Sequence, residues 1–167
     1  MTKGNVLVLV GHPDPENSSL NNEMARRWSA LPNTEIRWVD GTPINVEKEQ
    51  AAIEAAEHVV LQFPLYWYGV PACLKQWLDE VLTWGWAFGP NGGLLQGRTL
   101  RCSITVGGRL PDYSLTGKHA TTLDSLMEPL ERMCAYVGFE WCGVQGWDRS
   151  AMESGKLTLP SRNQFTI

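Results

Sequence analysis

Asn5-Val6-Leu7-Val8-Leu9-Val10 lies close to the start of the chain and forms an apolar run with no polar alternation. A strand with one solvated face alternates apolar and polar residues, whereas an unbroken run is typical of a strand covered on both faces. Such strands belong to parallel sheets that carry helices on each side. This stretch therefore predicts the first strand of an α/β domain.

Strand-like and helix-like segments alternate along the rest of the chain. Further strands are predicted at residues 34–39, 59–63, 99–106 and 139–144. Helices are predicted at residues 20–31, 47–57, 74–82 and 123–137, with Asn45 as an N-cap and with Pro129 either kinking or starting the last helix. The order βαβαβαβαβ predicts a doubly wound, five-stranded parallel sheet of order 2-1-3-4-5 with helices on both faces. We expect residues 1–148 to form this domain and residues 149–167 to form a polar tail.

Composition disfavours several functional classes. The chain has 167 residues, of which 43% are hydrophobic and 19% charged, and this corresponds to one globular domain. Its net charge of −4 disfavours a nucleic-acid-binding protein, which needs a basic surface. Neither a signal peptide nor a membrane span is predicted, because the apolar runs are short or interrupted by Pro and Gly. The four Cys show no zinc spacing, so we expect core thiols in a reducing cytoplasm and no metal site.

In a sheet of this order, ligands bind beyond the carboxyl ends of the strands, which makes the loops after strands 1, 3 and 4 the candidates for chemistry. The first loop, residues 11–21, contains His12, Ser18 and Ser19 but no dinucleotide-binding or P-loop motif. The two serines stand where the first helix begins, and a helix N-terminus with added hydroxyl donors binds phosphate well. The alternative is that either serine only caps the helix and that His12 is a structural residue.

The second loop, residues 64–71, contains Tyr66, Trp67 and Tyr68 in succession at the end of the third strand. The chain has eight Trp, and four of them lie between residues 67 and 86. Adjacent aromatic side chains are costly to leave in water, so they need a flat ligand or a protein surface. The residues alone leave open whether this loop lines a ligand, enters the core or meets a second copy.

The third loop, residues 105–119, joins the pair Gly107-Gly108 to Tyr113 and His119. Glycine allows the backbone to approach a ligand closely. Tyrosine and histidine both transfer protons, and histidine does so near neutral pH. A Tyr/His pair beside a Gly-Gly turn at a ligand-binding edge indicates a catalytic role more strongly than either residue alone.

Taken together, the loops resemble a known family. QFPLYWYGVPACLK at residues 62–75 resembles the signature of the NAD(P)H:quinone oxidoreductases of the flavodoxin-like fold. SITVGG at residues 103–108, followed by Tyr113 and His119, resembles a second stretch of that family, and His12 with SSLN at residues 18–21 resembles its phosphate loop. The resemblance covers roughly residues 5–145 and is closest to the small bacterial branch. That branch includes the ancillary flavoproteins of glutathione-gated potassium-efflux systems.

The resemblance implies a cytoplasmic flavoprotein that binds FMN, or alternatively FAD, without a covalent bond. It implies a ping-pong reaction in which NAD(P)H gives a hydride to the flavin and a quinone then takes two electrons from it. It also implies a homodimer with the site at the interface. Trp84, Trp86 and Phe88 are expected to be exposed and to suit that contact, and the two tryptophans are expected to border the same site.

The resemblance also implies a role for each loop. The phosphate would be held by Ser18, Ser19, Leu20 and Asn21, with His12 beside them. The flavin ring would be lined by Pro64, Leu65, Tyr66, Trp67 and Tyr68. Backbone contacts to the polar edge of the ring would come from Thr105, Val106, Gly107 and Gly108. Tyr113 and His119 would manage the charge and the proton that appear on the ring.

Two features depart from the family pattern. No helix is expected after residue 148, where the family normally has one, and Tyr66 stands where some members carry Gln. The sequence leaves two alternatives to a quinone reductase. One is a regulatory subunit that docks on a potassium/proton antiporter at the inner membrane face, and the other is a one-electron flavodoxin carrier. The small net charge of −4 and the Tyr/His pair count against the carrier.

Overall fold

The computed structural model describes residues 4–154 and residue 159. Its core is a five-stranded parallel sheet in the order β2-β1-β3-β4-β5. The strands are β1 (Val6–Gly11), β2 (Thr34–Val39), β3 (His58–Pro64), β4 (Thr99–Thr105) and β5 (Glu140–Trp147). The predicted strand order is confirmed, and every residue of β1 is buried, as its unbroken apolar run requires.

Helices cover both faces of the sheet, as predicted. They are α1 (Ser19–Ser29), α2 (Val46–Ala55), α3 (Ala72–Val81), α4 (Leu123–Leu126), α5 (Glu128–Val137) and α6 (Arg149–Glu153). Asn45 caps α2, because its side chain accepts a hydrogen bond from the Lys48 N–H at 3.0 Å. Pro129 lies in the first turn of α5, where the missing N–H would have had no partner within the helix. The proline therefore starts a helix and does not kink one.

Each face of the sheet has its own hydrophobic core. Helices α2, α3, α4 and α5 pack on one face through residues that include Ile53, Trp77 and Cys134. Helix α1 packs on the other face, where Met24 and Trp28 are fully buried against β1. Because both faces are covered, the open positions for a ligand are at the strand ends.

The C-terminal part of the chain differs from the sequence prediction. Residues 149–153 were expected in a polar tail without a helix, and this is wrong, because they form α6. Asp148 caps that helix by accepting a hydrogen bond from the Ala151 N–H at 2.8 Å, and Met152 packs beside α1. A single capped turn with one apolar contact is too short to give a periodic signal. Most of the predicted tail beyond residue 154 lies outside the described residues.

The cysteines are free thiols, and Cys73, Cys102 and Cys134 are buried while Cys142 is half-buried. Burial raises the pKa of the Cys134 thiol to about 12, so its reactive thiolate form is scarce near neutral pH. The expectation of core thiols is thus confirmed for the three buried residues.

Gly11 ends β1 directly against α3. A Cβ atom added at Gly11 would lie 2.8 Å from the Cβ of Leu74, and that atom cannot move without moving the helix. This close approach brings the first loop against the start of α3 and the second loop.

We predict that Gly11→Ala lowers the free energy of unfolding by about 1–3 kcal/mol, because the added methyl overpacks the contact between β1 and α3. Urea denaturation measures the change. Gly107→Ala is the matched control, because nothing lies within 4 Å of the corresponding Cβ position at the end of β4. Equal stability of the two variants would contradict the proposed packing constraint.

Candidate functional site

The three loops meet at the carboxyl edge of the sheet. The Tyr66 hydroxyl of the second loop lies 3.1 Å from Nε2 of His12 in the first loop. The Tyr68 hydroxyl lies 3.1 Å from Nδ1 of His119 in the third loop. The three predicted loops, residues 11–21, 64–71 and 105–119, therefore form one site, which we call the loop cluster.

The start of α1 presents unpaired donors. Ser18 occupies the N-cap position and is buried, but its side chain makes no capping hydrogen bond. Its hydroxyl instead accepts a hydrogen bond from Asn21 Nδ2 at 3.1 Å. Within the described part of the chain, no acceptor pairs with the backbone N–H groups of Ser19, Leu20 and Asn21. The alternative of simple helix capping by Ser18 is therefore excluded, and the N-terminus of α1 is open to an anion.

A buried polar chain connects α1 to the ends of β3 and β4. Gln62 Nε2 donates to Asn21 Oδ1 at 2.8 Å, and Asn21 Nδ2 donates to Thr105 Oγ1 at 3.1 Å. Gln62 is fully buried in a strand that is otherwise apolar. Gln62 was not among the predicted site residues, although a lone amide in an apolar strand was the available signal.

His12 is held in one tautomer by its neighbours. Its Nδ1 accepts the Asp14 N–H at 3.0 Å, so in the neutral ring the proton is on Nε2. That Nε2–H donates to the Tyr66 hydroxyl. Burial lowers the pKa of His12, and the nearby Asp14 carboxylate opposes this only in part. The neutral ring therefore orients Tyr66 and leaves the tyrosine O–H free to donate outward.

The second loop exposes an aromatic wall. Trp67 and Tyr68 both have positive φ, at 50° and 64°, between reciprocal backbone hydrogen bonds that join Tyr66 and Gly69. This two-residue turn normally uses Asn-Gly, so two aromatic residues there carry backbone strain. Tyr66 is 42% exposed, Trp67 96% and Tyr68 50%, which excludes the alternative that they enter the core.

The third loop holds Tyr113 and His119 together. Their rings stack with centroids 4.3 Å apart, and the backbone N–H of His119 donates to the Asp112 carbonyl at 3.0 Å. Burial, together with the nearby Tyr68 and Asp112, raises the pKa of Tyr113, which keeps its hydroxyl protonated as a donor. Gly117 makes this arrangement possible, because an added Cβ would lie 2.5 Å from the Asp112 carbonyl oxygen.

The Gly107-Gly108 pair has a different role from Gly117. A Cβ at Gly107 would meet nothing within 4 Å, and one at Gly108 would only reach Asp112 Oδ2 at 4.0 Å. Packing within the described chain therefore does not require glycine at either position. A molecule bound against this backbone would require it.

Asp148 fixes the third loop to the end of β5. Its carboxylate accepts the Leu110 N–H at 2.9 Å and also caps α6. Burial opposes ionisation, but the hydrogen bonds from Leu110, Ser150 and Ala151 lower the pKa of this carboxyl below its ordinary value. Asp148 was not among the predicted site residues, because its partner Leu110 lies 38 positions away in the sequence.

The predicted residues of all three loops lie in the loop cluster, whereas those after α3 do not. Residues 84–88 follow the far end of α3, about 15 Å of helix away from the second loop. Trp84 is exposed, but Trp86 and Phe88 are half-buried, and the Trp86 indole donates to Glu54 Oε1 at 2.6 Å. The expectation of full exposure was therefore wrong for Trp86 and Phe88, and within one chain neither tryptophan borders the loop cluster.

The described residues contain no cluster of His, Cys, Asp and Glu that suits a metal ion. Among the same residues, no helix is long and apolar enough to cross a bilayer. A cavity of about 540 Å³ lies at the opposite edge of the sheet, beside Asn5 and Asn33, and none of the predicted site residues line it.

Comparison with known proteins finds a matching family model and similar sequences and structures. A family model described as flavodoxin-like fold matches residues 4–156. The chain is 37% identical over 139 residues to the protein named uncharacterized NAD(P)H oxidoreductase YrkL, from Bacillus subtilis (strain 168). That alignment covers 81% of this chain and 80% of the relative.

The glutathione-regulated potassium-efflux system ancillary protein KefF of Salmonella dublin is also 37% identical, over 140 residues. The alignment covers 81% of this chain and 78% of KefF. Among solved structures, general stress protein 14 from Treponema denticola, determined in complex with FMN, superposes with a TM-score of 0.80 at 29% identity. That superposition covers 91% of this chain and 90% of the other.

We predict that ¹⁵N NMR of the imidazole ring shows His12 with its proton on Nε2 and none on Nδ1. Because its folded pKa lies below the unfolded value of 6.5, the ring stays neutral as the pH falls through 6.5, and the protein loses stability there as the unfolded chain takes up the proton. His12→Gln should remove this part of the pH dependence of unfolding. A proton on Nδ1, or titration above 6.5, would contradict the geometry.

Proposed function

The chain belongs to a family of flavodoxin-like fold in which one relative is named an NAD(P)H oxidoreductase, and from this premise we propose that it is a flavin-dependent NAD(P)H:quinone oxidoreductase. One observation carries the proposal. Open donors at α1, an exposed aromatic wall and a stacked Tyr/His pair surround the same edge and are joined by direct hydrogen bonds. We propose the cytoplasm as the compartment, because free thiols are typical of reducing conditions.

The residues of the loop cluster fit FMN. A phosphate would accept hydrogen bonds from the N–H groups that begin α1 and from the Ser18 hydroxyl. A tricyclic ring would stack against the exposed side chains of Trp67 and Tyr68 and lie against the backbone of Gly107-Gly108. The FMN complex of the structural neighbour supports FMN over FAD, and FAD is the alternative.

When bound, FMN would supply two-electron redox chemistry, and we propose a ping-pong order in which NAD(P)H is the hydride donor and a quinone is the acceptor. Tyr113 keeps its hydroxyl proton because its pKa is raised, so it donates toward negative charge as that charge develops. Nδ1 of His119 is occupied by the Tyr68 hydroxyl, which leaves Nε2 to take up or release a proton. The exposed side chains of Trp67 and Tyr68 would exclude water from the face of a bound ring.

The similarity to KefF favours a second candidate function. In this alternative the chain is an ancillary subunit that docks on a potassium/proton antiporter, and its oxidoreductase chemistry is secondary. Co-purification with the cytoplasmic domain of such an antiporter would distinguish the two functions. We also propose that the chain forms a homodimer, with the exposed Trp84 as a candidate contact residue.

We predict that the purified protein is yellow, releases FMN on heat denaturation, and bleaches when NADPH is added under argon. An absorbance spectrum and chromatography of the released flavin make these measurements. NADH in place of NADPH tests the nucleotide preference, and a quinone added afterwards should restore the colour. A colourless protein that binds no added FMN would disprove the function.

We predict that Tyr113→Phe combined with His119→Ala slows flavin reduction by about 10²-fold or more while the flavin remains bound. Stopped-flow absorbance under anaerobic conditions measures the rate. Tyr136→Phe is the matched control, because it removes a hydroxyl from an exposed tyrosine on α5, outside the loop cluster. A normal rate in the double variant would contradict the roles given to this pair.

A further inference from the structure

We propose that Trp28 and Gln62 are positioning residues that fix the direction of the buried hydrogen bonds ending on Ser18, so that the Ser18 hydroxyl faces a bound anion as a donor. This inference rests on the proposed function and extends it. It concerns how the chain distinguishes a flavin that carries a phosphate from one that does not.

The direction is set at Trp28. Its indole Nε1 lies 3.4 Å from Gln62 Oε1, and an indole N–H can only donate. Gln62 must therefore turn its oxygen toward Trp28. Both side chains are 0% exposed, so no bulk water can substitute for either partner.

The direction of each further hydrogen bond follows from the direction of the one before it. With its oxygen committed to Trp28, Gln62 presents its NH₂ group to Asn21, whose Oδ1 accepts at 2.8 Å. Asn21 must then present its own NH₂ group to Ser18 and Thr105, at 3.1 Å each. A reversed amide at either residue would bring two donor groups or two oxygens into contact, in a place where unpaired polar groups are costly.

The consequence is a difference between the two hydroxyls. The Thr105 O–H has an internal acceptor, because it lies 3.3 Å from Asn21 Oδ1. The Ser18 oxygen accepts from Asn21, and no acceptor for its O–H lies among the described residues. Ser18 therefore has a hydrogen to offer at the N-terminus of α1.

The opposite direction would reverse the chemistry at this point. If the Asn21 oxygen faced Ser18, the serine hydroxyl would donate inward, and only its lone pairs would remain for a ligand. Lone pairs repel a phosphate, whereas an O–H adds to the N–H groups that begin α1. Trp28 and Gln62 thereby decide whether Ser18 attracts or repels the phosphate, although neither touches it.

The test compares the dissociation constants of FMN and riboflavin, which differ by the phosphate, measured by quenching of flavin fluorescence. Gln62→Met keeps the length of the side chain and removes both hydrogen bonds. We expect it to weaken FMN binding by about tenfold, as for the loss of a hydrogen bond to a charged group, and to change riboflavin binding by less than about twofold. Ser18→Ala should reproduce this pattern, and the double variant should show no further loss.

Trp28→Phe removes the donor that orients Gln62, so it tests the inference through the other partner of this hydrogen bond. It also keeps the inference testable if Gln62→Met does not fold. Without the indole donor, Gln62 populates two orientations. The fraction of molecules in which the Ser18 hydroxyl can donate to the phosphate then falls by about twofold, and the FMN affinity falls with it. Ser103→Ala is the matched control. It also deprives a buried tryptophan, Trp147, of its hydrogen-bond acceptor, at 2.8 Å, but within the described residues Ser103 makes no hydrogen bond to Ser18 or Asn21.

The outcomes separate the inference from the proposed function. A wild-type protein that binds neither FMN nor riboflavin overturns the proposed function. A wild-type protein that binds both, with an unchanged FMN-to-riboflavin ratio in Gln62→Met, overturns the inference alone. The same holds if Ser103→Ala lowers the ratio as much as Gln62→Met does, because the effect is then a general consequence of lost stability.

Discussion

The amide of Asn21 holds α1 in place over the strand ends. It lies at the first turn of α1, is 2% exposed, and bonds to β3 through Gln62, to β4 through Thr105 and to the start of its own helix through Ser18. Parallel strands end in unpaired backbone groups, and the helix that follows the first strand must be fixed over them for a site to form. Together with the burial of Met24 and Trp28 against β1, this amide fixes the open donors of α1 relative to the ends of β3 and β4.

The second and third loops carry strain that this rigid base supports. Trp67 and Tyr68 hold a backbone conformation that favours Asn and Gly, and Gly117 permits a turn too tight for any side chain. A hydrogen bond from His12 to Tyr66 and one between Tyr68 and His119 then join the loops. The result is an exposed apolar surface flanked by proton donors, which is costly in water and useful against a flat, charged ligand.

Much of the fold was predictable because its signals are local. The unbroken apolar run of β1 and the cap at Asn45 each depend on residues close together in sequence. The three loops were also predictable, because strand order alone brings the ends of β1, β3 and β4 to one edge. The roles of individual loop residues remain predictions.

What the sequence did not reveal depends on distant pairs. Asn21 and Gln62 are 41 residues apart, and Leu110 and Asp148 are 38 apart, so no periodicity links them. Trp86 was expected on the surface because the family resemblance implied a dimer contact after α3. It instead packs against the core, and Glu54, near the end of α2, accepts its indole N–H. Likewise, α6 depends on the single cap at Asp148.

The central claim is that the donors at the start of α1 hold the phosphate of FMN at the loop cluster. Phosphorus NMR of the protein mixed with FMN tests it most directly, because a free phosphate monoester titrates near pH 6. The account predicts one bound phosphorus signal per chain, displaced from that of free FMN and constant between about pH 5 and pH 8, because the N–H and O–H donors stabilise the dianion. A signal that titrates as in free FMN, or the absence of a bound signal, would contradict it.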